Sequence, residues 1–286
     1  LGNNIKCGNS LIGPDFFDTL EPEQRTTNNE QRTNLDDLYQ KINPFDYKTE
    51  FPQVFSRKKL AAKRRSAKAS AKADGFHAVI GNPPWGGDID RELKYFHKTY
   101  PDCVQKTTDS FKLFISKALR LVAKNGYVSM IVPQTLLRQN RYSDVRALLV
   151  GFTIKSLVDL GENVFDRVVA PSSVFVVKKS VPRANNIVEF TDLGYCQDNT
   201  EKSVLLKESA AIANHIKQQE FLRATDFAFS PEVTLGDKTW PKLGAFDELR
   251  CRDAGINYQR VGVGMLVKGK SDLGKRLLYE GNQEKP

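Results

Sequence analysis

The stretch that most constrains this chain is Phe76-His77-Ala78-Val79-Ile80-Gly81-Asn82-Pro83-Pro84-Trp85. A mostly apolar run bounded by turn residues reads as a buried strand of a parallel sheet. Two prolines then stop it, because neither can donate to a ladder and each restricts the residue before it. The strand therefore ends in a stiff loop at its carboxyl end, the place where open α/β sheets put their ligands.

That loop suits one kind of chemistry. A planar amino group on a base or an amide is a poor nucleophile, since its lone pair is delocalised into the ring or carbonyl. Two acceptors held against its two N–H bonds favour a more tetrahedral nitrogen and a more available lone pair. Asn82 supplies a side-chain carbonyl, and Pro83 a backbone carbonyl fixed by its ring. Trp85 adds a flat face on which a base can stack, worth roughly 1–3 kcal/mol in nucleic-acid sites. The plain structural alternative is a Pro-Pro loop carrying a half-buried Trp.

The segment from Asp74 to Trp85 resembles the catalytic motif of the amino-methyltransferases. The likeness is greatest to adenine-specific DNA methyltransferases of restriction-modification systems, especially those fused to an endonuclease. It implies a Rossmann-like α/β sheet, S-adenosylmethionine as cofactor, and double-stranded DNA from which the target adenine is flipped. In that likeness Asn82, Pro83, Pro84 and Trp85 are the catalytic loop. His77 is a departure, standing where the group usually has Asp, and reads as peripheral.

Other segments extend the resemblance in the same order. Ile5-Lys6-Cys7-Gly8-Asn9-Ser10-Leu11-Ile12 resembles the segment one strand earlier, which implies that Asn9, with Ser10, contacts the cofactor's adenine ring; Asn82 also borders the cofactor. Read alone, Gly-Asn-Ser is an ordinary turn signal. Gly161-Glu162-Asn163-Val164-Phe165, with the strand through Val174–Lys178, resembles the last motif of the catalytic domain. There Phe165, together with Trp85, meets the target base; otherwise Phe165 is a loop side chain tucked into the core. The family's glycine-rich cofactor loop falls upstream of residue 1. The expectation is therefore a fragment, as the missing initiator Met also suggests, with a sheet incomplete on its N-terminal side.

Between these motifs the pattern alternates as βαβαβ, which predicts a mostly parallel sheet with covering helices. Thr108–Val122 carries Phe111, Phe114, Ile115, Ala118, Leu119 and Val122 at helical spacing, with Thr108 or Asp109 suited to the cap. Tyr127–Pro133 and Ile154–Leu160 read as strands, with a helix over 134–150 between them. Phe51-Pro52-Gln53-Val54-Phe55 reads as a packing element before the catalytic strand, and Leu35–Ile42 as a helix closed by Asn43-Pro44. Gly86-Gly87-Asp88 reads as a flexible segment able to close over a base. After Lys179 the pattern changes, with a short strand at Ile187–Phe190 and a helix over 203–223. The expected division is a catalytic domain over 1–180, with a basic insertion at 57–73, and the start of a target-recognition region over 181–286.

The net charge of +9 is local. Arg57, Lys58, Lys59, Lys63, Arg64, Arg65, Lys68 and Lys72 lie together without an acid, and without them the chain carries only +1. That excludes a uniformly basic, DNA-coating protein. The run is either a solvated helix or linker, or an arm touching DNA phosphates, through Arg57, Lys58, Lys59, Arg64 and Arg65 above all. A second basic, glycine-rich stretch holds Arg260, Lys268 and Lys270. It is either DNA-contacting or exposed loop and strand.

Cys7, Cys103, Cys196 and Cys251 form no Cys-x-x-Cys pair, and the three histidines show no ligand spacing, so no metal site is expected. Scattered thiols, no apolar stretch of membrane-spanning length and no leader-like start imply a cytoplasmic bacterial or archaeal protein. Three functions are compatible with these features. The first is the DNA adenine-N6 methyltransferase portion of a restriction-modification or phage-defence enzyme, one that need not be active as an isolated fragment and whose partner is an endonuclease domain or subunit. The second is an amino-methyltransferase acting on cytosine N4 or protein glutamine. The third is a non-catalytic DNA-binding fragment.

Overall fold

The computed structural model describes residues 5–20, 29–55, 75–165, 170–196, 198–207, 212–231, 257–261 and 264–268. The basic run 57–72 and Lys270 lie outside the described residues. The chain divides into two units, Leu1–Thr234 and Leu235–Pro286.

The first unit is built on a six-stranded sheet. Its strands are β1 (Phe76–Gly81), β2 (Val122–Pro133), β3 (Thr153–Gly161), β4 (Ser172–Lys178), β5 (Ile187–Asp192) and β6 (Asn214–Lys217), in the order β1-β2-β4-β3-β5-β6. β1, β2, β3 and β5 run parallel to one another, while β4 and β6 are antiparallel to their neighbours. This is the mostly parallel α/β sheet expected from the alternation, and the Rossmann-like fold that the resemblance implied. The antiparallel β4 slots between β2 and β3. The sheet continues past residue 180, because β5 and β6 are two of its strands.

The helices are α1 (Asn29–Ile42), α2 (Tyr47–Glu50), α3 (Pro52–Phe55), α4 (Leu93–Thr99), α5 (Ser110–Leu121), α6 (Ser143–Val150), α7 (Asn199–Lys207) and α8 (Gln218–Arg223). α5 buries Phe111, Leu113, Ile115, Ala118 and Leu119 against a core that also takes Val128, Met130 and Val132 from β2 and Phe175 and Val177 from β4. Each such aliphatic or aromatic side chain contributes roughly 1.5–3 kcal/mol by leaving water. Phe51 and Phe55 meet Phe76 edge-on at 5.3 and 5.4 Å, so the segment before the catalytic strand packs on its first residue.

Four local readings change. β1 is an edge strand of the described sheet, with Ile80 83% exposed, rather than a buried one. β2 begins at Val122, directly after α5, and takes in Ala123–Gly126 through an irregular register with β1. Gly126 permits that approach, since a Cβ there would meet the His77 carbonyl at 2.7 Å. The helix expected over 134–150 is broken into two 3-10 turns, Gln134–Leu137 and Asn140–Tyr142, before α6. The fully buried Arg146 guanidinium donates to the Asp226 carbonyl and to those of Leu136 and Gln139, two acceptors that a continuous helix would have paired internally. The helix expected over 203–223 gives way to α7, β6 and α8. His215-Ile216 pairs with β5 and sends Ile216 into the core, which a helix-compatible apolar spacing had concealed.

In the second unit, β7 (Asn257–Val261) and β8 (Gly264–Lys268) form an antiparallel hairpin. Among the described residues, no helix is long and apolar enough to cross a membrane. Cys7 is exposed while Cys103 and Cys196 are buried, all as free thiols, and burial pushes the Cys103 thiol up to about 12.

Candidate active site

β1 delivers the chain to its carboxyl end at Gly81, where the loop begins. Asn82 is exposed, Pro83 buried, Pro84 exposed and Trp85 half-buried. The Asn82 side chain is exposed and no described residue hydrogen-bonds it. Trp85 rests partly on the main core, and its ring meets Phe165 edge-on, with centroids 5.8 Å apart and planes at 76°. The two residues expected to contact a base, 80 positions apart in sequence, are thus neighbours. The Trp85 indole N–H is buried and finds no acceptor among the described residues.

The loop is held from the start of α5. The Ser110 hydroxyl donates to the Pro84 carbonyl at 2.6 Å and accepts from the Gly87 N–H at 3.2 Å. Asp109 occupies the cap position of α5, yet its side chain makes no capping bond. One carboxylate oxygen accepts from Gly86 N–H at 3.4 Å and the other from the Tyr142 hydroxyl at 3.3 Å. Reading Asp109 as a cap missed this use, and so did reading Gly86-Gly87 as free to close. The partners lie 23 and 33 positions from Asp109, beyond any local signal.

The Phe165 side is held as firmly. Asp159, at the end of β3, accepts from Gln134 Nε2 at 2.7 Å and from Gly161 N–H at 3.1 Å. Burial pushes its carboxyl above the usual range, against those two hydrogen bonds. Gly161 turns with φ 63° where a Cβ would meet Gly194 Cα at 2.7 Å, so only glycine fits. Beyond it, the buried Lys202 donates to the Glu162 carbonyl and Asn199 Nδ2 to the Val164 carbonyl at 3.3 Å. Val164 packs on a second apolar cluster of Val158, Leu160, Leu193 and Cys196. Residues Asn199 and Lys202, on α7, thereby fix the loop that presents Phe165.

Asn9 and Ser10 belong to a separate patch. The Asn9 side-chain oxygen accepts from Leu11 N–H at 3.2 Å, and its backbone N–H donates to the Asn43 carbonyl at 2.6 Å. Ser10 and Tyr47 line the same hollow, and burial raises the pKa of the Tyr47 phenol. The hollow is a cavity of about 370 Å³ lined by Ile5, Lys6, Gly8, Ser10, Phe45, Tyr47 and Phe51. Gly8 is so close to Phe45 that a Cβ would meet the ring at 2.6 Å. Flat rings beside small polar groups fit an adenine, so the residues present are compatible with the nucleoside end of S-adenosylmethionine.

Of the residues expected to touch DNA phosphates, Arg57, Lys58, Lys59, Arg64, Arg65 and Lys270 lie outside the described residues. Arg260 and Lys268 lie on β7 and β8 of the second unit.

Comparison with known proteins gives a consistent result. The model of the Eco57I restriction-modification methylase family matches residues 9–165. The chain is 24% identical over 154 residues to a putative type II restriction enzyme and methyltransferase, RM.MjaORFECS2P of Methanocaldococcus jannaschii, covering 52% of this chain and 11% of that protein. It is 28% identical over 115 residues to the adenine-specific methyltransferase BrxX of Escherichia coli O9:H4 (strain HS), covering 38% and 9%. The chain thus spans about a tenth of the length of these curated relatives. Among solved structures, the type I restriction-modification methyltransferase subunit of Streptococcus thermophilus aligns with a TM-score of 0.44 at 16% identity, over 60% of this chain and 40% of that one. The type IIG restriction endonuclease BpuSI aligns at 0.41 and 19% identity, over 73% and 28%.

Proposed function

Because the chain belongs to the Eco57I restriction-modification methylase family, we propose that it carries the catalytic loop of a DNA adenine-N6 methyltransferase. The observation that carries this reading is the Asn82-Pro83-Pro84-Trp85 loop at the carboxyl end of β1, with Trp85 meeting Phe165. An exposed amide and a proline carbonyl beside two aromatic rings are what a flipped adenine and its amino group require.

In this reading Trp85 and Phe165 hold the extruded base, offsetting the few kcal/mol that flipping costs. The Asn82 side-chain carbonyl and the Pro83 carbonyl accept from the two N–H bonds of the adenine amino group. That interaction draws the nitrogen toward a tetrahedral geometry and frees its lone pair. S-adenosylmethionine supplies the methyl group, on a sulfonium, when bound. Gly8, Asn9, Ser10 and Tyr47 would hold its adenine. Positioning provides most of the acceleration. Phosphate contacts belong to the basic run 57–72 and to Arg260, Lys268 and Lys270, and target recognition to the second unit, from Leu235 onward, since β5 and β6 are strands of the catalytic sheet. A bacterial or archaeal cytoplasm and an endonuclease partner fit the same reading.

Trp85 offers a direct check on base stacking. Trp85→Ala is expected to weaken binding of DNA carrying an unpaired target adenine by roughly 1–3 kcal/mol. Trp85→Phe should retain most of it, since the aromatic face remains. Equal loss in both variants would show that stacking contributes nothing.

The proposal itself is tested by expressing the complete gene product in a methylation-free host and analysing nucleosides of its DNA. N6-methyladenine above the empty-vector level supports it. N4-methylcytosine instead, or no modified base, overturns it.

A further inference from the structure

We infer that Ser110, together with Asp109, is a positioning residue that sets the catalytic loop for reaction; this rests on the methyltransferase reading above. The loop has an intrinsic problem. Pro83 and Pro84 lack N–H groups, so the segment from Asn82 to Trp85 has two fewer donors with which to fix itself. Its shape must be imposed from outside.

Ser110 does so with one hydroxyl used in both directions. It donates to Pro84 at 2.6 Å and accepts from Gly87 at 3.2 Å, gripping the chain on both sides of Trp85. Asp109 adds the intervening Gly86 N–H. The grip is anchored: Ser110 is only 2% exposed, and the other Asp109 oxygen is tied to the hydroxyl of Tyr142, itself 2% exposed and packed edge-on against Phe111 at 5.1 Å. With the Pro84 carbonyl turned toward α5, the peptide joining Pro84 to Trp85 has a fixed plane, and so has the direction in which Trp85 leaves the backbone. The acceptors at Asn82 and Pro83 are untouched by the grip and stay available to a base. The Ser110 hydroxyl is occupied by the loop backbone on both sides. Its effect passes through the loop, where displacement by about 1 Å can cost on the order of a hundredfold in rate.

The test measures kcat, KM for DNA and KM for S-adenosylmethionine of the complete gene product, with thermal melting as a check on folding. Ser110→Ala is expected to lower kcat by roughly ten- to a hundredfold while both KM values stay within about threefold. Ser110→Thr, which keeps the hydroxyl, should recover most of that loss. Asp109→Ala combined with Ser110→Ala should cost less than the product of the two single effects, because both act through one loop. An unchanged kcat in Ser110→Ala, or a loss that follows melting alone and is not rescued by Thr, overturns the inference while leaving the methyltransferase reading intact. A wild-type protein that transfers no methyl group to DNA overturns both.

Discussion

Replacing Asn82 by alanine is expected to reduce methyl transfer to DNA by about 10²–10³-fold, the range seen when one preorganised polar contact to a reacting centre is removed. The loss should fall on kcat. Asn82 is exposed and bonds no described residue, so its removal exposes no orphaned partner and disturbs no packing. DNA binding and melting temperature should therefore remain those of the parent protein. Steady-state kinetics with a parallel DNA-binding titration separate the outcomes. A variant that still methylates at the parental rate would mean that the amide accepts nothing from the reacting amino group.

The second large effect concerns the ion pair between Lys112 and Asp144, at 2.8 Å with side chains 0% and 3% exposed. Lys112 Nζ also donates to the Thr107 carbonyl at 2.6 Å. Asp144 accepts from the backbone N–H groups of Gln105, Lys106 and Val145. The pair therefore ties α5 and α6 to residues 105–107, the chain that leads into Asp109 and Ser110. Lys112→Met leaves a buried carboxylate without its cation, and the expected cost is about 3–5 kcal/mol. By contrast, the partly exposed Lys6–Glu50 pair at 3.0 Å is expected to contribute at most about 1 kcal/mol. Hydrogen exchange over peptides spanning 104–121 reports the difference as a lowered opening free energy. A change below about 1 kcal/mol would show that the pair is dispensable. Because the pair supports the start of α5, the same variant should also lose activity.

The parts of this fold legible in the sequence are those whose cause is local. A strand stopped by two prolines states its own boundary, and Phe111, Ile115, Ala118 and Leu119 mark a buried face by spacing alone. The meeting of Trp85 with Phe165 came from resemblance, since no periodicity links positions 80 residues apart. Decisions made by distant partners escaped the sequence. Asp109 has the composition of a cap, but Gly86 and Tyr142 claim its oxygens. Residues 134–142 are compatible with helix until Arg146 gathers the Leu136 and Gln139 carbonyls. Ile216 fits a helical stripe and yet pairs in a strand beside β5, where burial against the sheet outweighs propensity. Nothing local marks Lys202 as buried beneath the loop carrying Phe165.

The most direct measurement uses the complete gene product, purified with and without Asn82→Ala, incubated with duplex DNA and methyl-labelled S-adenosylmethionine, and digested to nucleosides. The expected result is label in N6-methyladenine from the parent protein and its near-complete loss in the variant. Label in N4-methylcytosine or in protein, or undiminished methyladenine from Asn82→Ala, would contradict the role assigned to this loop.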